Sequence, residues 1–208
     1  MQEETPPTVV HALYWEKLSQ LHPTDVCNRT ETLYNPTREG FLVPVYNLRY
    51  LVAPKPRMIL RVEWNDQIVE EELHPFFYLM VLAYLTDAKE VRPTHTWVSE
   101  KDLKGGSTFF RGPHHLQVKE LEDLYGTNPE TFLRAGRKLG GTEIFYGDKG
   151  FALEVFPKVP VAYVLWKGDE EFPPRVGVLF DSTIPIHLPL DIIWCMVQET
   201  TRRLIIPG

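Results

Sequence analysis

Cysteine is scarce in this chain: its 208 residues hold two, Cys27 and Cys195, far apart in sequence. There is no Cys-x-x-Cys pair and no Cys/His ligand spacing. This excludes an iron–sulfur cluster or structural zinc site built from the chain's own cysteines. The two are read as buried thiols in a reducing compartment. Long apolar runs are missing as well. The longest, Phe76 to Leu85, is far below the about 20 residues needed to cross a bilayer, so no membrane partner is expected. The opening Met-Gln-Glu-Glu-Thr-Pro-Pro has neither the basic nor the apolar region of a secretion signal, and a cytoplasmic protein is expected. Positive charge is in deficit: Lys and Arg number 22, Asp and Glu 28, for a net charge of −6. That balance argues against a nucleic-acid partner. Also absent are GxSxG, GxGxxG, a phosphate-binding loop, HExxH and any Ser/His/Asp order of a hydrolase.

Proline is plentiful. The 18 prolines sit between apolar runs, a pattern of short elements with fixed turns. A chain this long buries roughly 70% of the surface its unfolded form exposes, and one domain over residues 1–208 is expected. Val9, Leu13, Leu18 and Leu21 give a first helix one apolar side, with Tyr14 and Trp15, and His22-Pro23 ends it. The runs Gly40 to Tyr46, Arg49 to Val52 and Met58 to Trp64 read as an antiparallel meander. His74-Pro75 opens a helix that is apolar on nearly every side, which places it centrally in the core. A short helix is expected from His114 to about Tyr125, with Leu116, Leu121 and Leu124 inward. Asn128-Pro129-Glu130 starts another, which Gly140-Gly141 ends.

The strands Thr142 to Tyr146 and Gly150 to Phe156 lead into the most apolar part of the chain. There Val159 to Trp166 and Val176 to Phe180 form a hairpin, joined by Lys167 to Pro174 and ending on Asp181. A last helix, about Pro189 to Ile205, puts Leu190, Ile193, Trp194, Val197, Thr201 and Leu204 on one side. The class is α+β: an antiparallel sheet of hairpins packed against a central buried helix and a C-terminal helix.

Two sets of polar groups could carry chemistry. Asp169 and Glu170, with Glu171, lie in the hairpin loop, and Asp148 is expected on the same rim. Carboxylates so placed suit a hard cation; they equally suit a solvated turn stiffened by Pro173-Pro174. Trp166 and Phe172 flank the acids. Asp181 belongs at the other end of the hairpin, about 16–20 Å away at ~3.3 Å per residue, too far to share an ion with them. The second set is histidine. His114 and His115 follow the rigid Gly112-Pro113 turn, and His187 precedes the last helix. One exposed imidazole on a rigid turn suits an axial ligand to a haem or corrinoid; the plainer reading is a hydrogen-bonded surface histidine.

The stretches Trp-Lys-Gly-Asp-Glu-Glu-Phe-Pro-Pro (Trp166–Pro174) and Val-Leu-Phe-Asp-Ser (Val178–Ser182) resemble an uncharacterised protein family of anaerobic bacteria and archaea. Leu139–Gly141 and Gly112–Leu116 are similar too, and the likeness covers roughly residues 75 to 205. The resemblance brings no established reaction and no catalytic residue. Some relatives add a cysteine-rich iron–sulfur segment like those of corrinoid–iron–sulfur proteins, which two cysteines cannot supply here. What it implies is a setting, anaerobic one-carbon or corrinoid metabolism, with a corrinoid or iron–sulfur protein as partner. Three functions stay open: an accessory protein binding a tetrapyrrole through His114, His115 or His187 with Trp166 and Phe172; a metal-dependent hydrolase or transferase using Asp148, Asp169 and Glu170; and a protein-interaction domain with no small ligand.

Overall fold

The computed structural model describes residues 7–206, with side chains from His11 onward; the expectations for the first residues and for the Val9 side chain lie outside the described residues. Helix α1 (Pro7–Gln20) and helix α2 (Pro23–Thr30) precede a first antiparallel sheet. That sheet is a meander of β1 (Leu33–Asn35), β2 (Gly40–Val45), β3 (Leu48–Ala53), β4 (Met58–Val62) and β5 (Ile68–Val69). Its inward face carries Phe41, Val43, Val45, Tyr50, Val52 and Ile59, all members of the core. The expected single set of hairpins is therefore two sheets, since this meander does not pair with the later strands.

Helix α3 (Pro75–Asp87) is the buried centre that its all-round apolar sequence requires: every residue from Leu79 to Thr86 is buried. It packs against α1 and α8 (Leu190–Ile205). His74 caps its start, its Nδ1 accepting from the Phe76 backbone N–H at 3.2 Å. At its other end the Arg29 guanidinium donates to the carbonyls of Leu85 and Ala88, where the helix leaves acceptors unmatched.

The second sheet comprises β6 (Trp97–Val98), β7 (Thr142–Ile144), β8 (Lys149–Phe156), β9 (Val159–Trp166) and β10 (Arg175–Asp181), in the spatial order β6-β10-β9-β8-β7. The β9–β10 hairpin forms as expected, with Trp166 opposite Arg175 and Val161 opposite Phe180. Asp181 stands opposite Trp97 at the far end. Phe151, Tyr163 and Val178 fall in one cross-strand row on the inner face. Helix α6 (Pro129–Lys138) lies on that face, and Gly136 permits the closeness: a Cβ there would sit 2.4 Å from the Phe151 ring. The core forms one cluster from Trp15 to Leu204 and draws on both sheets. No helix among the described residues is long and apolar enough to cross a membrane.

Several local expectations are corrected. The helix expected from His114 to about Tyr125 begins only at α5 (Lys119–Tyr125), after a 3₁₀ turn at Gly112–His114 and an extended step, and a short helix α4 (Gly106–Phe109) lies upstream of the turn. The reason is the turn itself: His115 takes an extended conformation, and its backbone N–H and ring Nδ1 both bond the Gly112 carbonyl. Leu124 is then 50% exposed, and Leu13 on α1 is 64% exposed, because Trp15 and Leu18 take the buried side of that helix. A one-turn helix, α7 (Ile184–His187), precedes α8. Of the two thiols, Cys195 is buried and Cys27 half-buried; burial and the charge of Asp191 push the Cys195 thiol up to about 12.

Candidate functional site

The 3₁₀ turn sets the two neighbouring histidines to different tasks. His114 stacks on Phe109 at 4.6 Å between ring centroids and meets the edge of Trp194 at 5.7 Å. Trp194 meets Phe76 at 5.4 Å and donates its indole N–H to the His115 carbonyl at 3.3 Å. His115 is exposed, and its Nδ1 lies 2.8 Å from the Gly112 carbonyl oxygen. A carbonyl oxygen only accepts, so this Nδ1 carries the proton and the neutral ring keeps its lone pair on Nε2. His74 has the opposite tautomer, because its Nδ1 is the acceptor of the α3 cap.

His74 and His115 both line a cleft of about 670 Å³ between the start of α3, the 115–118 segment, α5 and one side of α8. Phe76, Leu116, Val118 and Ile205 give it apolar walls, and Lys119, Glu120 and Arg202 a charged rim. The Gln198 amide nitrogen, also at the cleft, is buried with no hydrogen-bond partner among the described residues. Such a group marks a place for a further polar atom. Glu122 ties the cleft to the second sheet: its carboxylate accepts from the Val176 backbone N–H at 3.0 Å.

Behind the cleft lies a buried ionic network. Glu199 is fully buried and accepts two bonds from Arg202, each 2.9 Å, and one from Arg203 Nε at 2.6 Å. Arg203 also donates to Glu71 at 2.9 Å, and Glu71 accepts from the Tyr50 hydroxyl at 2.9 Å. The Arg203 guanidinium lies over Phe77 at 4.8 Å. Burial disfavours the Arg203 charge, but Tyr50, Tyr46 and Glu199 more than offset this, and the group titrates even higher than an ordinary arginine. For Tyr50, burial raises the hydroxyl pKa, with Arg203 opposing and Glu71 reinforcing. The sequence signal for the network was Glu-x-x-Arg-Arg at Glu199–Arg203. On an amphipathic helix that spacing reads as a solvated i,i+3/i,i+4 set.

The residues read from the hairpin loop gather elsewhere. Asp148 does share the rim with the loop: its carboxylate accepts the Lys167 backbone N–H at 2.7 Å. Asp169 turns on itself, accepting from Glu171 N–H at 2.9 Å and Phe172 N–H at 2.7 Å, which hold its pKa low. Glu170 points into solvent-exposed surface beside them. The three carboxylates share a rim but no coordination point: among the described residues no group of three or more His, Cys, Asp or Glu side chains is placed to hold a metal ion. Trp166 lies over Gly177 with Arg175 at 5.4 Å from its ring, and Phe172 is 67% exposed. Neither lines the cleft that His115 borders.

His187 is separate again. It is buried, its Nδ1 accepts from the Lys89 backbone N–H at 3.3 Å, and its Nε2 has no partner. Burial lowers its pKa, the charge of Lys158 lowers it further, and Asp181 acts the other way. An imidazole enclosed in this way is a core histidine, not a surface ligand.

A family model described as a domain of unknown function (DUF3786) matches residues 22–203. The match takes in the first sheet, which the likeness read from residues 75 to 205 does not. No curated protein matches the chain, and no solved structure does.

Proposed function

The chain belongs to the DUF3786 family, and we propose that it is a non-catalytic accessory protein whose cleft takes a tetrapyrrole, whose metal His115 Nε2 would hold. One observation carries this reading: the 2.8 Å contact from His115 Nδ1 to the Gly112 carbonyl. Metal-ligating histidines are oriented in this way, with one ring nitrogen donating to a backbone carbonyl and the other left to the metal. The rest of the cleft fits. Its volume of about 670 Å³ is that of a small-molecule site. Phe76, Leu116, Val118 and Ile205 suit the face of a macrocycle, and the unmatched Gln198 amide suits a polar substituent. A tetrapyrrole metal would supply the chemistry when bound; the chain's own part is to orient the imidazole and exclude water from one face.

The family likeness adds a setting to this reading: anaerobic one-carbon or corrinoid metabolism in a cytoplasm, with a corrinoid or iron–sulfur protein as partner. The acidic rim supports a metal-dependent hydrolase or transferase less well, since one oxygen each of Asp148 and Asp169 is taken by backbone N–H groups and no three such side chains converge among the described residues.

Titration of hemin and of aquocobalamin, each followed by absorbance, tests the proposal and separates the two sources of the ligand. At least one is expected to show a shifted ligand band that saturates at one equivalent and is lost in His115→Ala. No shift with either, or a shift that His115→Ala leaves intact, overturns the assignment.

A further inference from the structure

A second cavity, of about 610 Å³, lies on the other side of Ile205 and Ile206, between α6 and the end of α8. The wall from α6 is Thr131, Arg134, Ala135 and Lys138, spaced by three and four so that they share one helix face. The other charged side chains of α6 are already matched. Glu130 pairs with Lys149 at 3.2 Å, and Arg137 with Glu143 at 2.9 Å. Arg134 and Lys138 are exposed and pair with no carboxylate among the described residues. Among the described residues no Asp or Glu lines this cavity. Its third cation, Arg203, is held by Glu199 and Glu71. In a chain of net charge −6, two neighbouring unmatched cations in a concave site are an exception, and the first cleft, with Glu120 and Glu122 in its wall, shows nothing similar.

Apart from Asn128, the remaining surface is mostly apolar. Leu124, Leu139, Ile205 and Ile206 line it, and Leu124 and Ile206 are 50% and 52% exposed. The Tyr125 hydroxyl is no spare donor, since it donates to the Leu204 carbonyl at 2.6 Å.

From this combination we infer that the α6–α8 groove binds an amphiphilic acid: a soluble small molecule with one carboxylate head between Arg134 and Lys138 and an apolar body against Leu124, Leu139 and Ile206. A guanidinium fork matches a carboxylate with two parallel hydrogen bonds, and a lysine one turn away adds a second charge. The apolar body contributes by leaving water. A neutral alcohol forfeits the first contribution and inorganic phosphate the second.

Calorimetric titration with decanoate, decanol and inorganic phosphate tests this directly. Decanoate is expected to bind on the order of tenfold tighter than either of the others, a difference of about 1.4 kcal/mol. The double variant Arg134→Gln/Lys138→Gln should lose roughly that tenfold, with an unchanged melting temperature because both side chains are on the surface. His115→Ala should leave decanoate binding untouched, so that this site stands or falls apart from the tetrapyrrole reading. The inference is overturned if decanol or phosphate binds as tightly, or if the double variant binds decanoate as well as the parent. It also fails if His115→Ala removes the binding, or if the protein binds anionic vesicles but not decanoate.

Discussion

Asp181, at the end of β10, and Glu199, in α8, are both sealed from solvent, at 1% and 0% exposure, yet they are satisfied by opposite means. Asp181 pairs with no cation among the described residues. It accepts from the backbone N–H groups of Thr94, His95 and Thr183 and from the hydroxyls of Thr94 and Thr183. Glu199 meets two guanidinium groups, and Arg203 passes the connection on to Glu71 and Tyr50. The first carboxylate staples two loops to a strand end with neutral dipoles; the second ties the last helix to the first sheet with charge. The difference decides what can replace each. Every member of the Glu199 network is a side chain, so all of it can be exchanged at once. Three of the Asp181 donors are main chain and stay whatever is substituted.

The largest expected effect comes from breaking the network on one side only. Glu199→Ala leaves Arg203, whose side chain is 9% exposed, with half of its negative partners. Removing one member of a buried ion pair costs about 3–5 kcal/mol, measurable as a lower urea midpoint with an unchanged m-value. Replacing Glu71, Glu199 and Arg203 together by methionine should return most of that stability, since an apolar core of similar volume often matches a buried network. If the triple variant is as unstable as Glu199→Ala, the contrast with Asp181 is lost.

Asp181→Asn comes next, at about 1–3 kcal/mol, because the new amide nitrogen faces donors and leaves at least one of them unmatched. Its pH dependence sharpens the comparison. Burial pushes the Asp181 pKa up, but the Thr183 hydroxyl and the N–H groups of Thr183, Thr94 and His95 outweigh it, so the pKa lies below the ordinary value. A carboxylate with a depressed folded-state pKa contributes stability above its unfolded pKa of about 3.9 and loses it as pH falls through the folded value. The gap between wild type and Asp181→Asn should be flat from neutral pH down to about pH 5 and close below about pH 4. A gap that closes near neutrality would show that some other group titrates there.

Much of this arrangement can be read from the chain, and the unread part has a common cause. The β9–β10 hairpin and the central α3 are announced by apolar runs too dense to belong anywhere but the core. Asn128-Pro129 and Gly140-Gly141 mark both ends of α6 through backbone preferences that need no partner. Asp181 at the far end of the hairpin follows from strand length alone. What escapes is set by contacts distant in sequence. Strands of two or three residues, such as β5 and β6, exist because a neighbour offers them a ladder. Glu199 lies on what looks like the wet side of α8, and residues distant in sequence, Tyr50 of the first sheet, Glu71 and Phe77, bury the arginine that holds it. The histidine pair is an intermediate case. The Gly112-Pro113 turn points to His114 and His115 together, but which of them stacks and which keeps a free nitrogen is decided by the Gly112 carbonyl and the ring of Phe109.

The smallest expected effect concerns His187, beside Asp181 in the same corner. Lys158, 2% exposed, sends its ammonium there, 3.4 Å from the Lys89 carbonyl and 3.8 Å from Glu31. Burial first, and Lys158 second, lower the His187 pKa, while Asp181 raises it by less. The folded protein therefore holds this imidazole neutral where the unfolded chain, with a pKa of about 6.5, takes up a proton. The unfolded state binds more protons in that window, so stability rises with pH through it and falls as the solution is acidified below about pH 6.5. His187→Gln removes the titrating group. The variant should be weaker at pH 8 by about 0.5–1.5 kcal/mol, for the hydrogen bond from Lys89 N–H, and should then lose less than wild type between pH 7 and pH 5. This acid window lies above that of Asp181, so one pair of stability–pH curves distinguishes the two residues. Parallel curves for wild type and His187→Gln over that range would mean that the imidazole has the same pKa folded and unfolded, and a wild type that gains on the variant as pH falls would mean that it is protonated in the folded state. The Asp181 corner would then hold a charge pair after all, like the Glu199 network at the other end of α8.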